Sequence, residues 1–343
     1  MKNRTTIRDV AKYLGVSVAT ISNVLNDINK TSEETRERVL QAVKELDYQP
    51  DFTARSLAKR KSNLIGVMLP YIEENTDTSF LSRDNFFYGE FIGGIEHGTK
   101  LRGYDYLITG TKSGQSCKEW IKKRNLDGII IMGIYPEALF NEFKKMNIPV
   151  VLIDTYEKYT GRFHNIAIDD KSGGMTAANH LISLGHKRIA LATGSINTSD
   201  VNFMRYEGYK KALQDSNITF DEKLIYEDEV SFAGGYRIGE EILKRNSDIT
   251  AVFAVADILA LGIMKSFVKN GKSIPDDLSI VGFDNLKMCE FVTPGLTTIS
   301  QNIFKKGVIA ADTLLDDIES GVSTKERITL PIKLVVREST KSI

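Results

Sequence analysis

The stretch VSVATISNVLN, residues 16–26, predicts a short helix that begins at Ser17 and has two dissimilar faces. At about 100° per residue, its large apolar side chains gather on one face, formed by Val18 at the edge, Ile21, Val24 and Leu25. The other face carries Ala19, Ser22, Asn23 and Asn26. Lys, Glu and Arg, which normally solvate a surface helix, are missing from it. Such a slim, uncharged face indicates a helix that approaches another surface closely.

Two further helices are predicted around this one. The first begins at Thr6, which forms a capping pair with Asp9, and it stops at Gly15, where a positive φ is natural. The third follows a polar loop and opens with Thr31-x-x-Glu34, a second capping pair. Two short helices joined by a glycine-containing turn and braced by a third form a helix-turn-helix, whose second helix enters the major groove of DNA.

In that geometry the helix starting at Ser17 reads base edges. Asn23 can make the paired hydrogen bonds that suit adenine, and Val18 and Ala19 can lie against thymine methyl groups. The pattern alone also allows a plain three-helix module in which Asn23 is merely solvated. Residues 1–62 hold twelve Lys and Arg against eight Asp and Glu, while the whole chain has 45 basic and 45 acidic residues. This uneven distribution favours a polyanion-binding head.

A linker, YQPDFTARSLAKRKSNLIGVMLP at residues 48–70, follows the head. Asp51 can cap a helix through Lys59, but a helix of about eight residues is too short to persist alone in water. Leu57 is its large aliphatic residue, and such a residue can act as an apolar wedge in the minor groove. The other interpretation places Leu57 in the core of the body.

The strings TIRDVAKYLGVSVATISNVLN, ETRERVL and YQPDFTARSLAKRKSNLIGV follow one another in order and in register. They resemble the headpiece and hinge of the LacI/GalR family of bacterial transcription regulators. The resemblance implies a DNA-binding headpiece at 1–50, a hinge helix and linker at 51–62, and Leu57 as the minor-groove wedge. The DNA-binding residues expected on this basis are Thr6, Ser17, Val18, Ala19, Thr20, Ser22, Asn23, Asn26, Arg55, Leu57 and Ala58.

From Leu64 onward, apolar runs alternate with amphipathic stretches, which is typical of parallel sheets covered by helices on both faces. Strands are predicted at 64–69, 104–109, 127–133, 149–154, 188–194, 250–256 and 278–284. Helical patterns lie between them, such as those at 89–102, 116–125, 137–147, 172–184, 203–216, 233–246 and 258–270. The number of units favours an α/β body, 63–343, of two doubly wound parallel-sheet lobes with a cleft between them. The expected lobes are 63–168 with 298–328, and 169–297 with 329–343.

Sheets of this kind bind ligands beyond the carboxyl ends of their strands, where this chain places several aspartates: Asp154, Asp169, Asp170, Asp257 and Asp284. One carboxylate can accept from two neighbouring hydroxyls, so these residues suit a polyhydroxylated ligand. Aromatic side chains that can stack on a sugar face are Phe86, Phe87 and Phe291. Helix capping is the alternative role for Asp169 and Asp257.

The body is similar to the same family through HLISLGHKRIALATG, RYEGYKKAL, VFAVADILALGIMKSF, DDLSIVGFDN, TPGLTTISQ and LVVREST. The resemblance implies a fold like that of periplasmic sugar-binding proteins, with Arg205 and Asp284 as the first ligand contacts and Asp154 next. Two features depart from the family: Ala256 replaces a frequent Asn, and the loop at 73–87 is longer than usual. The expected effector-binding residues are Asp84, Phe86, Asp154, Arg205, Asp257, Asp284 and Phe291.

Other functional classes fit the sequence poorly. The string Asn270-Gly271-Lys272-Ser273 lacks the first glycine of a phosphate loop, since Ser266 stands there, and the four histidines share no metal-ligand spacing. We therefore expect no catalytic residue, metal or cofactor. The polar start lacks the apolar region of a secretory signal, no run is long enough to span a membrane, and the two cysteines are best interpreted as reduced thiols.

The sequence thus predicts a cytoplasmic DNA-binding regulator of a pseudo-palindromic site, most simply a repressor that a carbohydrate effector releases. No leucine heptad follows LVVREST, so we expect a homodimer. A regulator whose DNA binding is raised by a purine corepressor or a phosphorylated carrier protein remains the alternative.

Overall fold

The computed structural model describes residues 5–25, 31–48, 61–69, 86–110, 114–133, 137–146, 148–155, 161–245, 248–322 and 325–343. The chain divides into two units, Met1–Asn63 and Leu64–Ile343, and each is described by itself.

The described residues of the first unit form three helices: α1 (Ile7–Leu14), α2 (Val18–Leu25) and α3 (Glu33–Glu45). They enclose a small apolar core of Val10, Ala11, Ile21, Val24, Val39, Ala42 and Tyr48. The predicted start and end of α1 are confirmed. Thr6 and Asp9 form a reciprocal capping box, and Gly15 adopts a φ of 69° while its N–H bonds to the carbonyl of Ala11.

The predicted cap of α3 was wrong by one residue. Ser32, not Thr31, is the N-cap, and its hydroxyl accepts from the N–H of Thr35 at 3.4 Å. Ser32 has the extended backbone that an N-cap needs, so its short side chain reaches the third N–H of the helix. The sequence offered two adjacent hydroxyl residues, and spacing to Glu34 selected the wrong one.

The second unit alternates strands and helices. In chain order its elements are β1 (Leu64–Leu69), α4 (Phe86–Leu101), β2 (Asp105–Gly110), α5 (Gly114–Arg124), β3 (Gly128–Met132), α6 (Glu137–Met146), β4 (Val150–Ile153), β5 (His164–Ile168), α7 (Asp170–Ser183), β6 (Ile189–Thr193), α8 (Asp200–Asp215), β7 (Ile225–Glu227), α9 (Phe232–Lys244), β8 (Ala251–Ala254), α10 (Asp257–Lys269), β9 (Ser279–Asp284), β10 (Thr297–Ser300), α11 (Ile303–Ser320), β11 (Arg327–Leu330) and β12 (Lys333–Val335). Two 3₁₀ turns, Glu222–Leu224 and Lys287–Glu290, complete them.

These strands form two sheets, in the orders β11-β5-β4-β3-β1-β2 and β12-β10-β9-β8-β6-β7. Neighbouring strands are parallel except for β12, which runs antiparallel to β10. The inner strands are buried on both faces, as β3, β4 and β6 illustrate. The predicted fold class, a helical headpiece followed by two parallel-sheet α/β lobes, is confirmed. None of the helices that the structure describes is long and apolar enough to cross a membrane.

Two of the lobe boundaries differ from the predicted ones by two to four residues. Strand β10 pairs with β9, so the chain leaves the second lobe at Gln301 and Asn302 and not before residue 298. Strand β11 pairs with β5 in the first lobe, and β12 pairs with β10 in the second, so the last crossing lies at 331–332. Strands β5, β7, β10, β11 and β12 were not among the predicted strands, because they are short and partly polar.

Glycines allow two helix pairs to approach until their backbones touch. In the first lobe, a Cβ added at Gly94 of α4 would overlap the carbonyl oxygen of Phe304 on α11, and one added at Gly307 would overlap that of Phe91. In the second lobe, Gly174 of α7 meets the carbonyl of Arg205 on α8 in the same way. These contacts leave no space for a methyl group between the helices, so they fix α11 against α4 and α8 against α7.

Gly94→Ala should therefore destabilise the protein, and Gly89→Ala should not. The methyl group at residue 94 has to push α11 away, which we expect to cost about 1–3 kcal/mol. Nothing lies within 4 Å of a Cβ at Gly89 on the same helix, so alanine there should add about 0.5–1 kcal/mol. Urea denaturation of both variants measures the difference, and equal stability of the two would show that the α4–α11 contact is not tight.

Candidate functional site

Helix α2 presents the face that the sequence predicted. Ile21 and Val24 are buried in the core of the first unit, whereas Val18 is 41% exposed and Ala19 is also exposed. Ser17 holds the start of the helix, since its hydroxyl accepts from the N–H of Thr20 at 3.0 Å and lies 2.9 Å from the hydroxyl of Thr20. Val18 and Ala19 are therefore accessible on the first turn, where a recognition helix meets base edges.

The other predicted DNA-binding residues fall into two groups. Thr6, Ser22 and Asn23 are described: Thr6 is exposed, and Ser22 and Asn23 are half-buried. Thr6 donates its hydroxyl to Asp9 at 2.7 Å, and the hydrogen bonds from Thr6 lower the pKa of the Asp9 carboxyl. The predicted contacts Asn26, Arg55, Leu57 and Ala58 lie outside the described residues.

In the second unit the carboxyl ends of both sheets face the region where three segments cross between the lobes, and this is where the sequence predicts the cleft. Asp154 follows β4 of the first lobe, and Asp284 is the last residue of β9 in the second. Gln301 lies in the second crossing, directly after β10, and its side-chain amide donates to Asp284 Oδ1 at 2.6 Å. The cleft aspartates of the two lobes thus converge on one crossing segment.

Lys306 on α11 connects these groups. Its Nζ donates to both oxygens of Asp154 at 2.8 Å and to Gln301 Oε1 at 2.5 Å, and the side chain has 0% exposure. A continuous chain of polar contacts therefore runs from Asp154 through Lys306 and Gln301 to Asp284. Burial raises the pKa of Asp154, and the ammonium of Lys306 opposes that rise.

Arg205 extends the chain of contacts into the second lobe. Its Nε donates to Asp170 Oδ1 at 2.7 Å, its Nη1 donates to the carbonyl of Val255 at 2.6 Å, and Nη1 lies 3.8 Å from Asp284 Oδ1. The guanidinium also lies 3.6 Å above the ring centroid of Phe283. Burial disfavours the charged guanidinium, but Asp170 and Asp284 outweigh it, and the net effect raises the pKa of Arg205.

Asp284 is the most perturbed of the cleft carboxyls. Burial, only partly offset by Arg205, raises its pKa to about 8. Its backbone φ is 119°, a region that side chains other than glycine rarely adopt. Strained backbone and strongly perturbed carboxyls cluster at functional sites, so Asp284 marks this part of the second unit as a candidate ligand site.

The prediction that Asp257 contacts the effector requires correction. Asp257 has 0% exposure, and its carboxylate accepts from Thr298 Oγ1 at 2.5 Å, Leu286 N at 2.8 Å and Cys289 Sγ at 3.1 Å. It does not cap α10 either, because the N-cap is Ala256, which has no side-chain hydrogen bond. Burial raises its pKa to about 6. Asp257 therefore stabilises the loop after β9 through its hydrogen bonds to Leu286 and Cys289.

The remaining predicted residues are placed as follows. Asp169 caps α7, as its alternative role required, with its carboxylate accepting from Ser172 N at 2.9 Å. Phe86 and Phe291 are 44% and 73% exposed, so in this structure neither is packed into the cleft floor. Asp84 lies outside the described residues.

Sequence reasoning missed two residues of this network, Gln301 and Lys306, and left Asp170 out of the expected effector-binding residues. Asp170 was noted only as one of two aspartates after a strand, and Lys306 belongs to a helix that was not predicted. A buried lysine has no local sequence signature, because its partners come from distant parts of the chain. It is 152 positions from Asp154. No group of side chains suited to a metal ion occurs among the described residues.

The geometry agrees with comparisons to known proteins. Residues 6–51 match the model of bacterial regulatory proteins of the lacI family, and residues 178–340 match a periplasmic binding protein-like domain. The chain is 33% identical over 341 residues to the ribose operon repressor of Halalkalibacterium halodurans, covering 98% of this chain and 97% of that protein. The chain belongs to the lacI family of bacterial regulatory proteins. It is a DNA-binding transcriptional regulator.

Solved structures of the lacI family extend the likeness. A lac repressor dimer bound to its operator and an anti-inducer has a TM-score of 0.84 at 27% identity, covering 99% of this chain and 100% of that one. A LacI family regulator from Enterococcus faecium with bound ribose has a TM-score of 0.71 at 33% identity, covering 82% of this chain and 99% of that one. The first likeness covers residues of both units.

Asp284→Asn should flatten the dependence of stability on pH. A carboxyl whose pKa is raised to about 8 in the folded state binds a proton that the unfolded chain releases near pH 4. The wild-type free energy of unfolding should then fall by roughly 2–4 kcal/mol more than that of the variant between pH 5 and 8. Asp276→Asn, which removes a carboxylate that is 72% exposed, is the matched control. Parallel curves for wild type and Asp284→Asn would refute the assignment.

Proposed function

We propose that this regulator is a cytoplasmic, homodimeric repressor without enzymatic activity, and that a carbohydrate bound in the cleft controls its attachment to DNA. The observation that carries the proposal is a pair of carboxyl groups, Asp154 from one lobe and Asp284 from the other, which Lys306 and Gln301 hold at the crossing. A neutral polyol can donate a hydroxyl to the Asp154 carboxylate and exchange hydrogen bonds with the Asp284 carboxyl, and so bridge the lobes.

The likeness to sugar-related proteins supports this ligand class. The ribose operon repressor is similar over nearly the whole chain, and the Enterococcus faecium regulator holds ribose. Arg205 stacks on Phe283 beside Asp284 and so completes a polar wall with an apolar backing. We include Arg205, Asp154 and Asp284 in the proposed effector site.

The first unit supplies the DNA-binding part of the proposal. Val18, Ala19 and Asn23 on α2 are the proposed base contacts, and Ser17 and Thr20 fix the start of that helix. Because a two-fold dimer presents two such helices, its site is expected to be a near-palindrome. The effector can shift DNA binding only through a difference in its affinity for the two states of the body.

Thermal unfolding of the full chain against a ligand panel tests the effector class. The panel contains D-ribose, D-galactose, cellobiose, sugar phosphates, hypoxanthine and guanine. A true ligand at about 100 times its Kd adds about 2.7 kcal/mol, which should raise the Tm by roughly 5–10 °C. A response to a neutral sugar that also weakens operator binding supports the proposal. A response to purines alone, or a sugar that tightens DNA binding, contradicts it.

Asn23→Ala should relax base preference at particular positions of the DNA site. Selection from a random duplex library with the wild-type chain gives the preferred site, and the variant should lose about 1–3 kcal/mol of discrimination at one position in each half. Gln41→Ala on α3, whose side chain bonds Glu45 within its own helix, is the control. A uniform loss across all sequences would contradict base reading by Asn23.

A further inference from the structure

Lys306 is an unusual residue to find beneath a polar cleft. Its ammonium has 0% exposure, and its three protons are matched by three acceptor atoms: Asp154 Oδ1, Asp154 Oδ2 and Gln301 Oε1. A lysine whose donors are all used cannot offer a hydrogen bond to a ligand without losing one of these partners. Lys306 must therefore affect a ligand through the side chains that it holds, Asp154 and Gln301.

The position of this ammonium is fixed by the helix that carries it. Lys306 precedes Gly307, and Gly307 lies in backbone contact with Phe91 of α4. Asn302, in the crossing segment, caps α11 by accepting from Lys305 N at 3.2 Å. Helix α11 is thus held at its first turn and along its flank, so Lys306 meets Asp154 with little freedom to move.

Lys306 also sets the orientation of Gln301. Because Lys306 is a donor, the amide oxygen of Gln301 has to face it, and the NH₂ group has to face Asp284. The lysine in the first lobe therefore determines which group meets the carboxyl of the second lobe. Asp154 keeps 16% of its side chain exposed, so its remaining lone pairs are accessible from the cleft.

We propose that Lys306 is a positioning residue of the effector site: it holds the Asp154 carboxylate as an acceptor for ligand hydroxyls and, through Gln301, aligns the Asp284 carboxyl of the opposite lobe. The inference rests on the proposed function for the identity of the ligand class. The pairing itself does not depend on any ligand, so the two can be tested separately.

A double-mutant cycle in the full chain without added sugar tests the pairing. Lys306→Met leaves Asp154 desolvated without a counter-ion, and we expect the Tm to fall by roughly 5–15 °C. Lys306→Met combined with Asp154→Asn removes both charges and should recover more than half of that loss. Lys305→Met, at the exposed neighbouring lysine, is the matched control. Additive losses in the cycle would overturn the proposal.

An infrared pH titration of the same variants separates positioning from packing. Burial raises the pKa of Asp154, and Lys306 opposes the rise, so its removal should increase the protonated fraction of this carboxyl at neutral pH. Lys306→Met should therefore show an additional carboxylic-acid C=O band. The double variant should not show it, because asparagine replaces the carboxyl at residue 154. If Lys306→Met alone does not fold, the Tm of the double variant can be compared with that of Asp154→Asn. This comparison measures what the lysine contributes to stability when its carboxylate partner is absent. An unchanged carboxyl spectrum in Lys306→Met would mean that the lysine only fills space and would overturn the proposal.

Binding of D-ribose measures the functional consequence. If the wild type binds D-ribose, Lys306→Met should weaken binding at least about tenfold, and the loss should grow as the pH falls and Asp154 becomes protonated. Lys305→Met should bind as the wild type does. Equal pH profiles for wild type and Lys306→Met would refute the role in the effector site. Failure of the wild type to bind D-ribose counts against the proposed effector, while the sugar-free cycle and titration still decide the role of Lys306.

Discussion

The requirement that buried charges be paired inside the protein organises the region where the two lobes meet. Three carboxyls, Asp154, Asp170 and Asp284, lie beside Lys306 and Arg205, and each cation contacts a carboxylate at 2.7 or 2.8 Å. Removing Asp154 or Asp170 would leave the buried cation beside it without its closest carboxylate, which costs far more than a surface ion pair contributes. Each ion pair lies within one lobe, Lys306 with Asp154 in the first and Arg205 with Asp170 in the second, and Gln301 connects the two lobes by contacting both Lys306 and Asp284.

This network depends on helix positions that glycines make possible. Gly174 allows α7 to touch the backbone of Arg205 on α8, which brings Asp170 and Arg205 together. Gly307 has the same role beside Lys306 on α11. Both polar side chains are thus delivered to the cleft by backbone contacts that exclude even a methyl group, and their geometry is set by packing before any ligand is present.

The sequence predicted the parts of the molecule whose signals are local. The caps at Thr6 and Gly15 and the apolar face of α2 depend on neighbours within four residues, and all three are confirmed. The inner strands other than β5 and β10 were equally readable, because burial on both faces makes them uniformly apolar. The short strands β7 and β10 lacked this signal, since β7 has three residues and ends in a glutamate, and β10 has four residues that include two threonines.

The candidate site was harder to predict, because an aspartate that follows a buried strand can have any of three roles. The local sequence does not distinguish these roles. Asp169 caps a helix, Asp257 accepts three internal hydrogen bonds, and Asp284 reaches the cleft. What separates them is the position of donors from other segments, such as Thr298 and Gln301, which lie far away in sequence. Asp257 became a bracing residue because Leu286 N, Cys289 and Thr298 surround it, and no motif around residue 257 encodes that enclosure.

Gln301 gives the cleft a direct connection to lobe movement. Its backbone lies where the chain passes from β10 to α11, and its side chain spans the carboxyl of one lobe and the ammonium of the other. A rotation of one lobe against the other would change the distance between Asp284 and Lys306. If that distance grew, the side-chain amide of Gln301 could not keep both of its hydrogen bonds. A ligand that replaces the lost contacts with its own hydroxyls would stabilise the rotated arrangement over the unliganded one, and this difference in affinity is the condition for an effector to act.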